Sequence, residues 1–255
     1  MERKHDEVTS DRVAIVTGGG GSLGRAIVGV LARSGAAVAV VDQNLFAARA
    51  VETDTIAAGG KALAIEADVT NAESLERMVA ATVDRFGHVD YLVNNAGLLG
   101  PIKPLWETDD SEVAKVFAVN VGAVFTCTRI VARQMIARRR GAIVTIASVA
   151  GKDGPKNMSI YASSKAAVIG FTKSWAKEFA PYGVRVNCVS PSLIEATGMK
   201  NEMPSWFSED SVSRIPMGRP ARADEVANVV SFLLSDAASF VTAACYDVSG
   251  GRASY

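Results

Sequence analysis

Histidine and cysteine are scarce in this chain. There are two histidines, His5 and His88, and three cysteines, Cys127, Cys188 and Cys245. Neither histidine has a cysteine or second histidine at ligand spacing, so no metal site is expected. An odd, scattered set of cysteines in apolar surroundings argues for reduced thiols in a cytoplasmic protein rather than a disulfide framework. Neither sign of charge is in excess: Lys+Arg and Asp+Glu both number 27 and the net charge is zero. That gives no electrostatic footing for nucleic acid or a membrane surface. The apolar run at 36–41 is far too short to span a bilayer. Residues 1–10 are polar and lack the apolar core of a signal peptide. They are expected to form a loose tail, leaving 11–255 as one domain. The one basic cluster, Arg138-Arg139-Arg140, precedes Gly141 and is expected to be a solvated helix end, where cations suit the dipole.

What is present is an apolar content of 49% in 255 residues, enough for a sizeable core. Short apolar runs expected as strands fall at 12–17, 36–41, 61–66, 91–93, 142–146, 184–189 and 245–248. Helical periodicity separates them at 25–34, 45–58, 72–86, 111–138 (interrupted at Asn120), from about Tyr161 onward, and at 223–234. No internal repeat or Pro/Ser-rich linker divides the chain. Apolar strands alternating with helices predict an α/β fold, a doubly wound parallel sheet of Rossmann type with helices on both faces. Binding sites in such sheets lie at the carboxyl ends of the strands. Asp42, Asp68, Asn95, Ser148 and Pro191 all follow strands and would share that edge.

The first β–α–β unit carries a glycine-rich turn at 18–24. Between a strand and a helix, such a turn lets main-chain amides approach a pyrophosphate at the helix N-terminus. Asp42 ends the next strand. A carboxylate there accepts from the ribose hydroxyls of an adenosine and repels a 2′-phosphate, which favours NAD(H) over NADP(H). Arg25 could serve a phosphate, but it lies on the wrong turn to offset Asp42.

Tyr161 and Lys165 stand four apart at the head of a helical pattern, so they share one face. Ser148 is available from the preceding strand end. Such a trio suits proton transfer to or from an alcohol. A free phenol has a pKa of about 10, and a useful base near neutrality needs a drop of about 3 units, roughly 4 kcal/mol. A nearby lysine cation is expected to supply part of that drop, and Ser148 would hold the substrate oxygen.

Taken in order, Thr17-Gly18 through Gly24, Asp68-Val69, Asn94-Asn95-Ala96-Gly97, Asn120, Ser148 and Tyr161-x-x-x-Lys165 resemble the short-chain dehydrogenase/reductase family from about Arg12 to Gly251. The resemblance implies a seven-stranded sheet, a nicotinamide cofactor, and interconversion of an alcohol and a ketone. It implies that Tyr161 is the general acid/base and that Lys165 tunes it and holds the nicotinamide ribose. Ser148 would position the substrate, and Asn120 would hold a water on a proton path. Gly18, Gly21, Ser22, Leu23 and Gly24 would line the phosphates. Asp68 and Val69 would meet the adenine, Asn95 and Gly97 the adenosine ribose, and Ile194 the nicotinamide amide. The chain departs from the family pattern at Gly21-Ser22, at Pro191-Ser192 and Thr197, and at Ala243-Ala244 where a glycine is common. A side chain at Ser22 would either crowd the turn or bind phosphate. Similarity further implies a homotetramer.

Substrate choice is expected in the segment 193–215, with Met199, Met203, Trp206 and Phe207, facing Leu98, Leu99, Val149 and Met158. Methionines and aromatics make an adaptable apolar pocket, so the expected substrate is a fairly hydrophobic secondary alcohol or ketone. Lys152 and Lys156 are expected in a solvated loop. The rivals are an NADPH-dependent 3-oxoacyl-thioester reductase of the same family and, from another class, a non-catalytic NAD-sensing or scaffold protein.

Overall fold

The computed structural model describes residues 11–195, 198 and 203–253, with only the main chain of Trp206 and Phe207. The tail expected at 1–10, Thr197 and Met199 lie outside the described residues. Seven strands form one sheet in the order β3-β2-β1-β4-β5-β6-β7. They are β1 (Val13–Thr17), β2 (Ala37–Asp42), β3 (Lys61–Glu66), β4 (Tyr91–Asn94), β5 (Gly141–Ile146), β6 (Val184–Pro191) and β7 (Cys245–Val248), and every pairing is parallel. Side chains alternate between two cores, as the pleat requires. Ala14, Val16, Val38 and Val40 face one core, while Ile15, Ala39 and Val41 face the other.

The first core is covered by α1 (Ser22–Arg33), α2 (Leu45–Ala57) and a late helix at Ala223–Leu234. The second is covered by α3 (Ala72–Phe86) and by the helices at Val124–Arg138 and Ser159–Phe179. Helix starts follow their caps: Asn44 accepts from Ala47 N, Asn71 accepts from Ser74 N, and Asp109 forms a capping box with Glu112 ahead of α4 (Asp110–Phe117). The run Asp110–Arg138 has the length and hydropathy of a membrane span by composition alone. It nevertheless packs as a core helix, burying Val124, Cys127, Val131 and Met135 while Arg129 and Arg133 face outward.

One expectation needs correction. The first helix begins at Ser22, three residues earlier than the periodicity indicates, so the glycine turn is shorter. The basic cluster is the expected exposed helix end, and two of its members also make bonds. Arg138 donates to the buried carboxylate of Asp90 and to Val89 O, and Arg139 donates to Pro181 O. Both tie the far ends of strands together, away from the carboxyl edge. The chain order changes direction between β1 and β4, which opens a crevice at their carboxyl ends.

Candidate active site

That crevice is a cleft of about 860 Å³, within the range of ligand pockets. Among its walls are Gly18, Gly21, Ser22, Leu23, Gly24, Asp42, Asp68, Val69, Asn95, Gly97, Ser148, Tyr161, Lys165 and Ile194, so the fold brings those expected residues together.

At one end lies the glycine turn. Gly18 has φ +63, and a Cβ there would stand 3.0 Å from Ala96 Cα. A Cβ on Gly24 would overlap the Gly18 carbonyl oxygen, so the helix can press on the turn only as glycine. Ser22 is exposed and opens helix α1, so its side chain does not crowd the turn. No side chain caps this helix and no acid sits in its first turn. Its amides are therefore free to meet an anion, and the macrodipole favours one. A pyrophosphate fits this cradle.

Asp42 is braced as well as placed. Its Oδ2 accepts from Gly20 N at 3.0 Å and its Oδ1 from Asn44 N at 3.0 Å. Each oxygen keeps a second lone pair, and the residue lines the cleft. Arg25 pairs with Asp54 at 2.5 Å, outside the cleft. The described cations lining the cleft are Lys115, Lys165 and Arg252. Asp68 accepts from the Thr70 main chain at 2.8 Å and its hydroxyl at 2.7 Å, and these bonds hold its carboxyl below the usual range.

The bonding narrows what three of the expected residues can do. Asn95 lines the cleft, but its amide donates to Thr17 O at 2.9 Å and Gly18 O at 3.0 Å. Its side-chain nitrogen thus braces the glycine turn. A Cβ on Gly97 would stand 3.3 Å from Asn120 Oδ1 and 3.5 Å from Lys165 Nζ, so Gly97 belongs to the lysine end of the cleft. Asn120 is buried in a π-helical turn, Ala118–Ala123, and donates to Leu98 O at 2.8 Å and Ser164 Oγ at 3.0 Å. Both amide donors are used, so the side chain cannot donate to the water assigned to it.

At the other end, Ser148 follows β5, and its Oγ accepts from Ala150 N at 3.1 Å. The Tyr161 and Ser148 hydroxyls are hydrogen-bonded to each other. Lys165 Nζ lies 5.7 Å from the Tyr161 ring centroid and donates to Ile146 O at 2.8 Å. The electrostatics run against expectation. Burial pushes the Tyr161 phenol up to about 12, outweighing the Ser148 bond, which pulls it down. Burial also pushes the Lys165 ammonium down to about 8. The lysine is turned toward a carbonyl and carries its own desolvation cost, so the phenol is a protonated acid here, not a ready base. Leu99, Ala150, Met158 and Tyr161 form a small apolar cluster, with Ile102 and Met203 against it. Pro191 and Ser192 border it, while Lys156 is exposed and takes no part.

A family model described as Enoyl-(Acyl carrier protein) reductase matches residues 19–253. The chain is 38% identical to a cyclohexanol dehydrogenase of Acinetobacter sp. (strain SE19) over 255 residues, all of both chains. It is 39% identical to a 3-oxoacyl-[acyl-carrier-protein] reductase of Synechocystis sp. over 243 residues, 94% of this chain and 96% of that one. The chain belongs to the short-chain dehydrogenase/reductase family. As a family member it is an oxidoreductase. A solved structure, NAD+-bound xylitol dehydrogenase, superposes with a TM-score of 0.92 at 34% identity, covering 95% of this short-chain dehydrogenase/reductase and 99% of that chain. Thr17 opens the glycine-turn motif, but nothing local in the sequence signals what its side chain does. Its Oγ1 accepts from Asn95 N at 3.1 Å and Ala96 N at 3.2 Å, knitting β1 to β4.

Proposed function

We propose that this oxidoreductase interconverts a fairly hydrophobic secondary alcohol and its ketone with NAD(H). The observation that carries the reading is the hydrogen-bonded Ser148–Tyr161 pair in the same cleft as the glycine turn and Asp42. The residues fit a dinucleotide. The uncapped start of α1 would hold the pyrophosphate, Asp42 the adenosine ribose, Asp68 and Val69 the adenine, and Tyr161, Lys165 and Ile194 the nicotinamide half. When bound, the nicotinamide supplies the hydride donor or acceptor. The chain's own residues do the rest. Ser148 and Tyr161 present two hydroxyls to one substrate oxygen, fixing the carbon it bears. In reduction Tyr161 gives its Oη proton to the developing alkoxide, a task suited to a buried, protonated phenol. In oxidation the phenolate form, reached once Tyr161 has lost its own proton, accepts the substrate's hydroxyl proton. Lys165, with a depressed pKa, supplies a second titrating group under the ring. Leu99, Val149, Met158 and Met203 exclude water and supply an apolar wall.

Asp42 and the ion-paired Arg25 support NAD(H): among the described residues, no lysine or arginine lines the cleft beside Asp42 to meet a 2′-phosphate. The same observation weighs against the NADPH-dependent 3-oxoacyl-thioester reductase reading, which the Synechocystis relative keeps in view. The cyclohexanol dehydrogenase relative supports a cyclic or other hydrophobic secondary alcohol. A cytoplasmic homo-oligomer, a tetramer by resemblance, is part of this proposal. Phe125 stacks edge-on against Phe171 and Trp175 while remaining 45% exposed, and Phe232 and the fully exposed Phe240 mark a second apolar area suited to another copy.

The test is Tyr161→Phe, assayed by NADH absorbance on cyclohexanol-type substrates. Turnover should fall about 10²–10⁴-fold, with NADH binding, read by fluorescence, retained. A variant keeping near-full activity refutes the assignment.

A further inference from the structure

One polar feature of the cleft has no part in the proton chemistry. Arg252 lines the wall with a side chain only 9% exposed. Among the described residues its one hydrogen bond is the Nε contact, at 3.3 Å, of an ion pair with Asp153 Oδ2. The two terminal amines of the guanidinium have no protein partner among the described residues. They are not sealed off, since the partnerless buried side-chain atoms among the described residues are Tyr91 Oη and Thr172 Oγ1. A cation so far desolvated, with its paired amines open to a cleft, is costly unless a ligand or water meets them.

The main chain that delivers Arg252 is built rather than frayed. Gly250 has φ +66 and Gly251 φ +90, and a Cβ on Gly250 would stand 2.8 Å from Ile215 Cγ2. Met217 N donates to Gly250 O at 3.2 Å, and Ala253 N donates to Ser249 Oγ at 3.0 Å. The turn thus clamps both sides of Arg252. Asp153 ends a short helix, Ala150–Asp153, whose N-cap is Val149, next to Ser148. Four residues at about 1.5 Å each put Asp153 roughly 6 Å along that helix from Val149. Val149, Ala150 and Met158, all apolar and buried, line the same cleft.

We propose that Arg252 is an anion-reading residue of the substrate pocket, taking a carboxylate that the substrate carries several bonds from its carbinol carbon. The terminal amines offer the parallel donors that a carboxylate takes in bidentate fashion. Asp153, holding Nε, is a positioning residue that aims the fork. The substrate class is then a hydroxy acid or keto acid with an apolar spacer of about a six-membered ring. Lys115, also on the wall, adds positive potential. This inference rests on the alcohol–ketone reading of the Ser148–Tyr161 pair.

The experiment compares 4-hydroxycyclohexanecarboxylate with its methyl ester as substrates of the full chain with NAD+. It uses wild type, Arg252→Met, Arg252→Lys and, as a control cation outside the cleft, Lys156→Met. Wild type and Lys156→Met should prefer the acid in kcat/KM by about 10-fold or more. Arg252→Met should bring that preference to about one, mainly through KM, and Arg252→Lys should restore part of it. An equal loss on acid and ester, or no wild-type preference, overturns the proposal in favour of a purely structural latch. Calorimetric titration with cyclohexanecarboxylate, which cannot react, separates the two readings. If wild type turns over neither substrate but binds this acid and Arg252→Met does not, the subsite stands and the alcohol–ketone reading falls. Equal binding by both proteins overturns the subsite.

Discussion

Asn120 and Leu98 hold each other by a closed pair of hydrogen bonds: Asn120 Oδ1 accepts from Leu98 N at 2.8 Å, and Asn120 Nδ2 donates to Leu98 O at 2.8 Å. The second Nδ2 hydrogen goes to Ser164 Oγ, which in turn donates to Tyr161 O at 2.7 Å. One side chain therefore joins the loop after β4, the π turn and the Tyr161 helix. Its amide is the right group because it alone offers two donors and an acceptor in one plane.

Asn120→Ala strands buried groups on Leu98 and Ser164. Each buried polar group left unmet costs about 1–3 kcal/mol, so the variant should lose roughly 2–4 kcal/mol. Urea unfolding should show a lower midpoint with an unchanged slope. Turnover should fall too, since Gly97 stands close to both this residue and Lys165. A variant as stable as wild type contradicts the clasp.

Much of this was legible in the chain. The strands read cleanly because both faces of a covered parallel sheet are apolar, as at Val13–Thr17 and Ala37–Val41. The helix at 72–86 read to the residue because Asn71 caps its start and Gly87, at φ 88, ends it. Tyr161, Lys165 and Ser148 were legible because helical spacing and a strand end are local facts. What was not legible depends on distant neighbours. The amide of Asn95 is spent on the glycine turn 77 residues away, and no periodicity reports that. The sign of the Tyr161 shift depends on burial, which a motif does not carry. Arg252 follows two glycines at the end of the chain and gives no pattern at all. Its place on the cleft wall exists only once β7 has been laid beside β6.

Lys165 makes stability pH-dependent in a defined window. Its folded pKa, near 8, lies below the ordinary value of 10.5. Below pH 8 the ammonium is charged in both states and the folded state bears the full burial cost. Between about 8 and 10.5 the folded state releases a proton that the unfolded state keeps, so stability rises with pH there. The gain is about 3 kcal/mol at 1.36 kcal/mol per unit. Above pH 10 the sign reverses, because burial pushes Tyr161 and Tyr91 up to about 12 and the unfolded phenols ionise first. Lys165→Met should flatten the rise between 8 and 10.5. It should be the more stable protein at pH 7 by roughly 1–3 kcal/mol, allowing for the lost bond to Ile146, while losing turnover. Denaturation midpoints across pH 6–10.5 decide it, and parallel profiles for the two proteins contradict the assignment.

Asp42 carries two duties that one double variant can separate. Asp42→Ala removes the acceptor from Gly20 N and Asn44 N and the negative charge from that end of the cleft. NADH affinity should fall by about tenfold, the worth of one or two charged hydrogen bonds. Gln43 also lines the cleft, so adding Gln43→Arg to Asp42→Ala should place a cation where a 2′-phosphate would lie and shift preference toward NADPH. Fluorescence titration of both dinucleotides against wild type, single and double variants gives the ratios. If Asp42→Ala leaves the NADH-to-NADPH ratio unchanged, the carboxylate does not set the choice.

Ala243 is a non-glycine residue at φ 63, in the stretch where the family commonly has a glycine. Its amide donates to Val186 O at 2.8 Å, so the strained main chain is fixed by its bond to β6 rather than free to relax. Holding alanine in the left-handed region costs about 1–2 kcal/mol. Replacing it by glycine removes that cost but frees the unfolded chain, which returns about 0.5–1 kcal/mol. The balance is a net gain of roughly 0.5–1 kcal/mol for Ala243→Gly. Because the residue lies just before β7, far in sequence from Ser148 and Tyr161, turnover per active site should stay near that of wild type while the unfolding midpoint rises. A destabilised Ala243→Gly would mean that the alanine methyl is needed more for packing beside Cys245, within the second core, than it costs in backbone strain.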